Sequence, residues 1–128
     1  MDSISNMIIM MKNASLAGKE TVQIPYSKMK NAVLECLKKE GYVGEFSKKV
    51  KKGTPVLEVN LVYTEEKPRI TEVERISKQS RRTYFGVKDI FPVRNGFGIL
   101  VLSTPKGILS GKEARKEQVG GEALFKMW

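Results

Sequence analysis

The stretch SKMKNAVLECLKKEGYVGEFSKKVKKGTPVLEVNLVY, residues 27–63, decides the fold class. Ser27 can cap a helix whose Met29, Ala32, Val33, Cys36 and Leu37 recur at the spacing of one apolar face, and Gly41 closes it. The period then changes. Tyr42 to Val50 and Val56 to Tyr63 flank Lys51-Lys52-Gly53-Thr54, while Leu57, Val59, Leu61 and Tyr63 alternate as a half-buried strand does. A helix followed by a hairpin with a basic tip makes an α+β unit.

Upstream, Ile4, Met7, Ile8 and Met11 mark another helix face, and Asp2 or Ser3 can cap its start. Thr21 to Ile24 alternates and stops at Pro25, a short strand. Lys28, Lys30, Lys38 and Lys39 fall off the apolar face of the second helix, so a solvated face and a phosphate-contacting face both stay open. Downstream, Thr64-Glu65-Glu66-Lys67-Pro68 is polar, acidic and closed by proline, the best linker in the chain. The domain boundary is therefore expected there. Residues 1–64 form an α+β domain of helix, strand, helix and hairpin, and residues 65–128 form a β-rich domain.

In the second half, Arg69 to Ser77 reads as a strand, followed by the polar cluster Lys78-Gln79-Ser80-Arg81-Arg82. Ile99 to Ser103 is the most apolar run and predicts a buried strand. Ser110-Gly111-Lys112-Glu113 has the form of a capping box, opening a short helix to about Gln118. Gly120-Gly121 ends it, and Ala123, Phe125 and Met127 alternate in a final strand.

Composition narrows the function. The chain has 128 residues, enough for one domain or two small ones, with 41% hydrophobic and 29% charged types. Its net charge of +9 calls for a polyanionic partner, nucleic acid or an anionic membrane surface. Every arginine lies after residue 64: six Arg and seven Lys there face eight acids, whereas residues 1–64 carry ten Lys and six acids. Arginine's planar fork grips phosphate in two places, so the second half suits oriented recognition and the first half attraction. The single cysteine and absence of histidine exclude an intrachain disulfide, a Cys/His zinc site and histidine acid–base chemistry. No apolar run reaches the roughly 18–20 residues of a membrane span, and the N-terminus lacks the pattern of a secretory signal. A cytoplasmic protein without cofactor or metal is expected.

Enzyme motifs fail on inspection. Gly107 to Glu113 is one residue short of a P-loop and has Glu where a Ser/Thr must hold magnesium. Gly96-Phe97-Gly98 lacks the third glycine of a dinucleotide fingerprint, with Val101 in its place. Cys36 lies on an apolar helix face with no histidine to activate it, and no pair of carboxylates stands as acid and base. Nucleic-acid contact has more to build on. Ser103-Thr104-Pro105-Lys106-Gly107 leaves a buried strand and offers two hydroxyls, a cation and a glycine amide, or else is an ordinary turn. Arg81 and Arg82 supply cations beside Tyr84, whose ring either stacks on an unpaired base or packs in the core. Arg115 pairs with Glu or faces solvent.

Asn95-Gly96-Phe97-Gly98-Ile99, Leu102-Ser103-Thr104, Lys106-Gly107, Glu113-Ala114-Arg115 and Val119-Gly120-Gly121-Glu122, closing on Trp128, resemble the carboxyl-terminal signature of the bacterial small-subunit ribosomal protein eight family. Asn13-Ala14, Pro25-Tyr26-Ser27-Lys28-Met29-Lys30 and Ile76-Ser77-Lys78 add matches in order, so the resemblance runs end to end. It implies two small α+β domains packed together, a structural protein binding the central domain of small-subunit ribosomal RNA, and neighbouring small-subunit proteins as partners. It further implies an RNA contact at Ser103, Thr104, Lys106 and Gly107, with Tyr84 and Gly120-Gly121-Glu122 nearby. Lys12, Asn13, Ser27, Lys28 and Lys30 contribute from the first domain. Some members of the family repress their own operon's message through the same surface; a small nucleic-acid-processing enzyme is the remaining alternative. Two departures stand out. The family usually has Ser where this chain has Pro105, and often Pro-Gly where Gln79-Ser80 stands.

Overall fold

The computed structural model describes residues 3–128, which form two compact units divided between Thr71 and Glu72. Both helices and antiparallel sheets are present, an α+β fold. Asp2, one of the two candidate caps of the first helix, lies outside the described residues. No helix among the described residues is long and apolar enough to cross a membrane.

The first unit runs α1 (Ser3–Leu16), β1 (Thr21–Pro25), α2 (Lys28–Lys39), β2 (Val43–Lys51), β3 (Thr54–Leu61) and a small hairpin of β4 (Tyr63–Thr64) and β5 (Lys67–Pro68). Its sheet has the order β1-β3-β2, all antiparallel. Ile4, Met7, Ile8 and Met11 of α1 are buried, as their helical spacing requires, and so are Ile24, Leu57 and Val59 of the sheet. Lys51 pairs with Thr54 across the hairpin, with Lys52 and Gly53 both left-handed at φ 52° and 78°, the geometry that matches strand twist. Glu65 and Glu66, at the heart of the acidic Thr64–Pro68 segment, make the left-handed turn between β4 and β5.

Ser27 caps α2, its side-chain oxygen accepting from the Lys30 amide at 3.1 Å. The buried stripe of α2 keeps the expected Val33, Cys36 and Leu37 and differs at Met29 and Ala32. Lys30, Val33, Leu34 and Leu37 face inward together with Cys36, while Met29 is 39% exposed. Lys30 and Leu34 take the places of Met29 and Ala32 on that face, the long Lys30 stem occupying an apolar position.

The second unit contains β6 (Val73–Arg75), β7 (Tyr84–Phe85), β8 (Ile99–Thr104), β9 (Gly107–Ser110), α3 (Gly111–Lys116) and β10 (Gly121–Met127). The sheet order is β6-β10-β8-β9, and β7 also pairs with β10. Ser110 and Glu113 form the capping box at 3.2 Å in each direction, and α3 ends at Lys116. The expected strand Arg69 to Ser77 shortens to three residues. Beyond it the backbone still bonds to β10, with the Ile76 and Ser77 amides donating to the Leu124 and Ala123 carbonyls at 3.1 and 3.0 Å; the Ser77 hydroxyl donates to the Glu122 carboxylate and the Arg75 guanidinium to the Leu124 carbonyl. Ile90, Val93, Leu100, Leu102, Ala114 and Ala123 form a core under this sheet.

Candidate nucleic-acid interface

Strand alternation creates the site in the second unit. Leu102 pairs with Ala123 and with Leu109, and these face the core. The next row along therefore faces outward: Tyr84 pairs with Glu122, and Glu122 with Ser103. Tyr84 is 68% exposed, which decides against core packing. Phe85 beside it points the other way and packs against the core.

Gly120 and Gly121 let three strands close up at this end of the sheet. A Cβ on Gly121 would overlap the Ser103 carbonyl oxygen and sit 2.9 Å from its carbon. One on Gly120 would overlap the Phe85 carbonyl and sit 2.8 Å from the Gly86 Cα. Backbone fills that space, so the two glycines set how near the Tyr84 and Ser103 strands approach β10.

Glu122 is held from two sides. Its carboxylate accepts from the Ser77 hydroxyl and, at 3.1 Å, from the Arg82 guanidinium. The buried Ser77 oxygen in turn accepts from the Thr83 amide at 3.2 Å, which fastens the segment leading into Tyr84. Glu122 is thus engaged inside the protein, and Arg82 is oriented by it. Arg81 is exposed, its backbone bridged to Lys78.

The tip between β8 and β9 is built by Thr104. Its hydroxyl donates to the Gly107 carbonyl at 2.8 Å and accepts the Lys106 amide at 3.1 Å, tying the tip across Pro105. Pro105 is trans and exposed. A fixed proline φ suits the first corner of such a turn, and the missing N–H is not needed by the internal bonds. Gly107 takes φ +109°, a conformation that favours glycine although its surroundings are open. The Ser103 hydroxyl, half-buried, makes no hydrogen bond with another described residue. The exposed Lys106 ammonium lies 3.5 Å from Glu117. Arg115 donates to the Ile90 carbonyl at 2.6 Å, so it braces the fold rather than pairing with a carboxylate.

In the first unit, Lys28 is exposed at the start of α2 and Asn13 is exposed on α1, where it lines a groove with Met10, Lys19 and Gln23. Lys12 is half-buried. The Ser27 oxygen is committed to its cap, and Lys30, expected off the apolar face, is only 8% exposed. Lys48 of β2 joins Lys38 and Lys39 of α2, which the sequence already offers as candidates for phosphate contact. Lys48 sits 4.2 Å from the Tyr26 ring centroid, beside a groove of α2 and β2 that includes Lys38, Lys39 and Phe46. Alternation along β2 was the available indication.

A family model described as ribosomal protein S8 matches residues 2–128. The small ribosomal subunit protein uS8 of Ruegeria pomeroyi is 46% identical over 124 residues, covering 96% of this chain and 95% of the relative. The proteins of the same name from Nitrobacter hamburgensis and Rhodopseudomonas palustris are 48% and 49% identical over 125 residues, with 97% and 95% coverage.

Proposed function

The chain belongs to the ribosomal protein S8 family, and on that premise we propose that it binds the central domain of small-subunit ribosomal RNA directly and supports assembly of the subunit. Membership makes it a structural ribosomal protein and not an enzyme. Its place is the small subunit of a cytoplasmic ribosome, beside other small-subunit proteins.

The observation that carries the reading is the outward row of Tyr84 and Ser103 on either side of an internally engaged Glu122. An exposed ring can stack on an unpaired base, and a hydroxyl without an internal partner can meet a ribose or base edge at a fixed distance from it. Thr104, Lys106 and Gly107 shape and charge the adjoining tip; Arg82, with Arg81 next to it, approaches phosphate from the Tyr84 side. Gly120 and Gly121 hold the spacing. Lys12, Asn13, Ser27, Lys28 and Lys30 of the first unit extend the contact, with Ser27 acting through the helix start it caps. Labour is divided: the +9 charge raises encounter rate and sequence-independent affinity, and the neutral groups select geometry. Because double-helical RNA hides its base edges in a deep groove, the target includes a bulged or distorted element. A message presenting that element would meet the same groups, which is how the chain would repress its own operon.

Hydroxyl-radical footprinting on full-length small-subunit ribosomal RNA tests this. Protection confined to the central domain and centred on an irregular helix is expected. Protection elsewhere, or spread evenly over duplex, contradicts it.

A further inference from the structure

The β2–β3 hairpin reaches beyond its own core. Leu57, paired with Lys48, is its outermost buried side chain, and every residue from 47 to 55 is exposed. Four further residues carry the chain to Lys52, about 13 Å at the rise of a strand. Between Glu45 and Glu58 this arm holds four lysines and no acid. The two flanking acids are already engaged, Glu45 by Lys38 at 2.8 Å and Glu58 by Lys49 at 2.9 Å. Lys51 and Lys52 form no ion pair with a described residue.

The turn itself is built at a cost. Lys52 takes φ 52°, and turns with two left-handed central residues favour Asn, Asp or Gly at that first position. Lysine lacks the short polar side chain that eases a left-handed backbone, and like charges crowded on one ribbon repel. The turn does not account for a lysine at its apex; a polyanion met there does. Strand alternation then divides the cations between the two faces. Lys49 and Lys51 share the face of Glu58, while Lys48 shares the face of Leu57 and lies 4.2 Å from the Tyr26 ring centroid. Lys52 stands at the apex between them. A flat anionic surface meets one face of such a ribbon, whereas two phosphate strands bordering a groove meet both. Val50, 68% exposed, is the arm's one large exposed apolar side chain, too little for a lipid or an apolar protein surface.

We infer that the tip at residues 48–52 is a separate RNA contact, an arm that straddles the phosphate backbone at a groove of an RNA helix without reading its bases. It rests on the RNA-binding reading above and uses none of the groups named there.

Two measurements on the full chain decide it. Lys52→Asn removes the charge and suits the left-handed turn. It should lower the slope of log affinity against log salt for a central-domain ribosomal RNA fragment by about one, with the thermal midpoint unchanged or raised. Adding Lys51→Gln should bring the total fall in slope to about two. Separately, Thr54→Cys carries a tethered iron chelate, the native Cys36 being buried. Hydroxyl radicals released beside the tip should cut one short backbone tract of the bound fragment. Unchanged slopes with the RNA still bound, or cuts scattered over the whole fragment, overturn the arm and leave the RNA reading standing. Charge variants that bind the fragment as the unaltered chain does, yet fail to enter reconstituted small subunits, assign the arm to a protein neighbour and also overturn it. An unaltered chain with no affinity for the fragment overturns the RNA reading itself, and the arm with it.

Discussion

The Thr104 hydroxyl donates to the Gly107 carbonyl at 2.8 Å, so the two ends of the β8–β9 tip are tied by a side chain as well as by the strand ladder. Ser103, one residue earlier, has a hydroxyl with no such task. The two neighbours therefore differ in role: Thr104 shapes the tip and Ser103 is available to a ligand.

Their substitutions should separate accordingly. Thr104→Val loses two internal hydrogen bonds and should destabilise the protein by about 1–2 kcal/mol in urea unfolding, whereas Thr104→Ser should retain most of that stability. Ser103→Ala should leave stability within about 0.5 kcal/mol yet weaken specific RNA binding by about 1–3 kcal/mol, if the hydroxyl meets a polar group in the complex. Equal loss on specific RNA and random duplex would remove Ser103 from recognition.

Glu122 joins Ser77 and Arg82 in one network. Glu122→Ala leaves the buried Ser77 hydroxyl without its acceptor and should cost about 1–3 kcal/mol. Hydrogen exchange at the Thr83 amide should accelerate with it, because that amide donates to Ser77. Unchanged exchange would show that the segment before Tyr84 is held by its backbone alone.

Gly121→Ala forces a methyl group into the Ser103 carbonyl. Overpacking of this kind typically costs about 1–3 kcal/mol, and here it must also push β8 away from β10. Loss of RNA specificity should accompany it, while amide shifts in the first unit stay put. Retained specificity would mean that the Tyr84–Ser103 spacing does not matter.

How far such roles were visible beforehand depends on what each residue does. The Ser110–Glu113 capping box, the α1 face and the Lys51–Thr54 hairpin follow from local spacing, and each stands where that spacing put it. Lys30 does not, because hydropathy counts its charge and not its stem: Val33, Cys36 and Leu37 are buried as their spacing predicts, while Lys30 and Leu34 take the places of Met29 and Ala32 on that face. The extent of β6 is likewise not set locally: its residues and those just after it bond to β10, far along the chain, and pairing at that range leaves no local periodicity. The loop chemistry of Ser103 to Gly107 was recognisable by residue type, but not that Thr104 turns its hydroxyl inward. Nor could the resemblance distinguish a Glu122 that touches RNA from one engaged by Arg82.

Alkaline stability offers a check on the first unit. Burial raises the Tyr42 hydroxyl above its ordinary ionisation range, with Arg69, whose guanidinium lies 3.8 Å from the ring centroid, opposing that shift. A raised folded-state value favours the neutral phenol, so this contribution is complete below the unfolded value near pH 10 and is lost as pH rises through the folded one. Tyr42→Phe should flatten the fall in stability above about pH 10, measured by chemical denaturation. An identical alkaline profile in both proteins would place the transition elsewhere.

The central claim is recognition of one folded RNA by fixed neutral groups on a basic protein. Its most direct test is binding of the purified chain to a central-domain fragment of small-subunit ribosomal RNA, with excess random duplex as competitor and salt varied. Binding that survives the competitor, and that persists as rising salt strips the sequence-independent part, is the predicted result. Collapse to the affinity of random duplex at every salt concentration would contradict it.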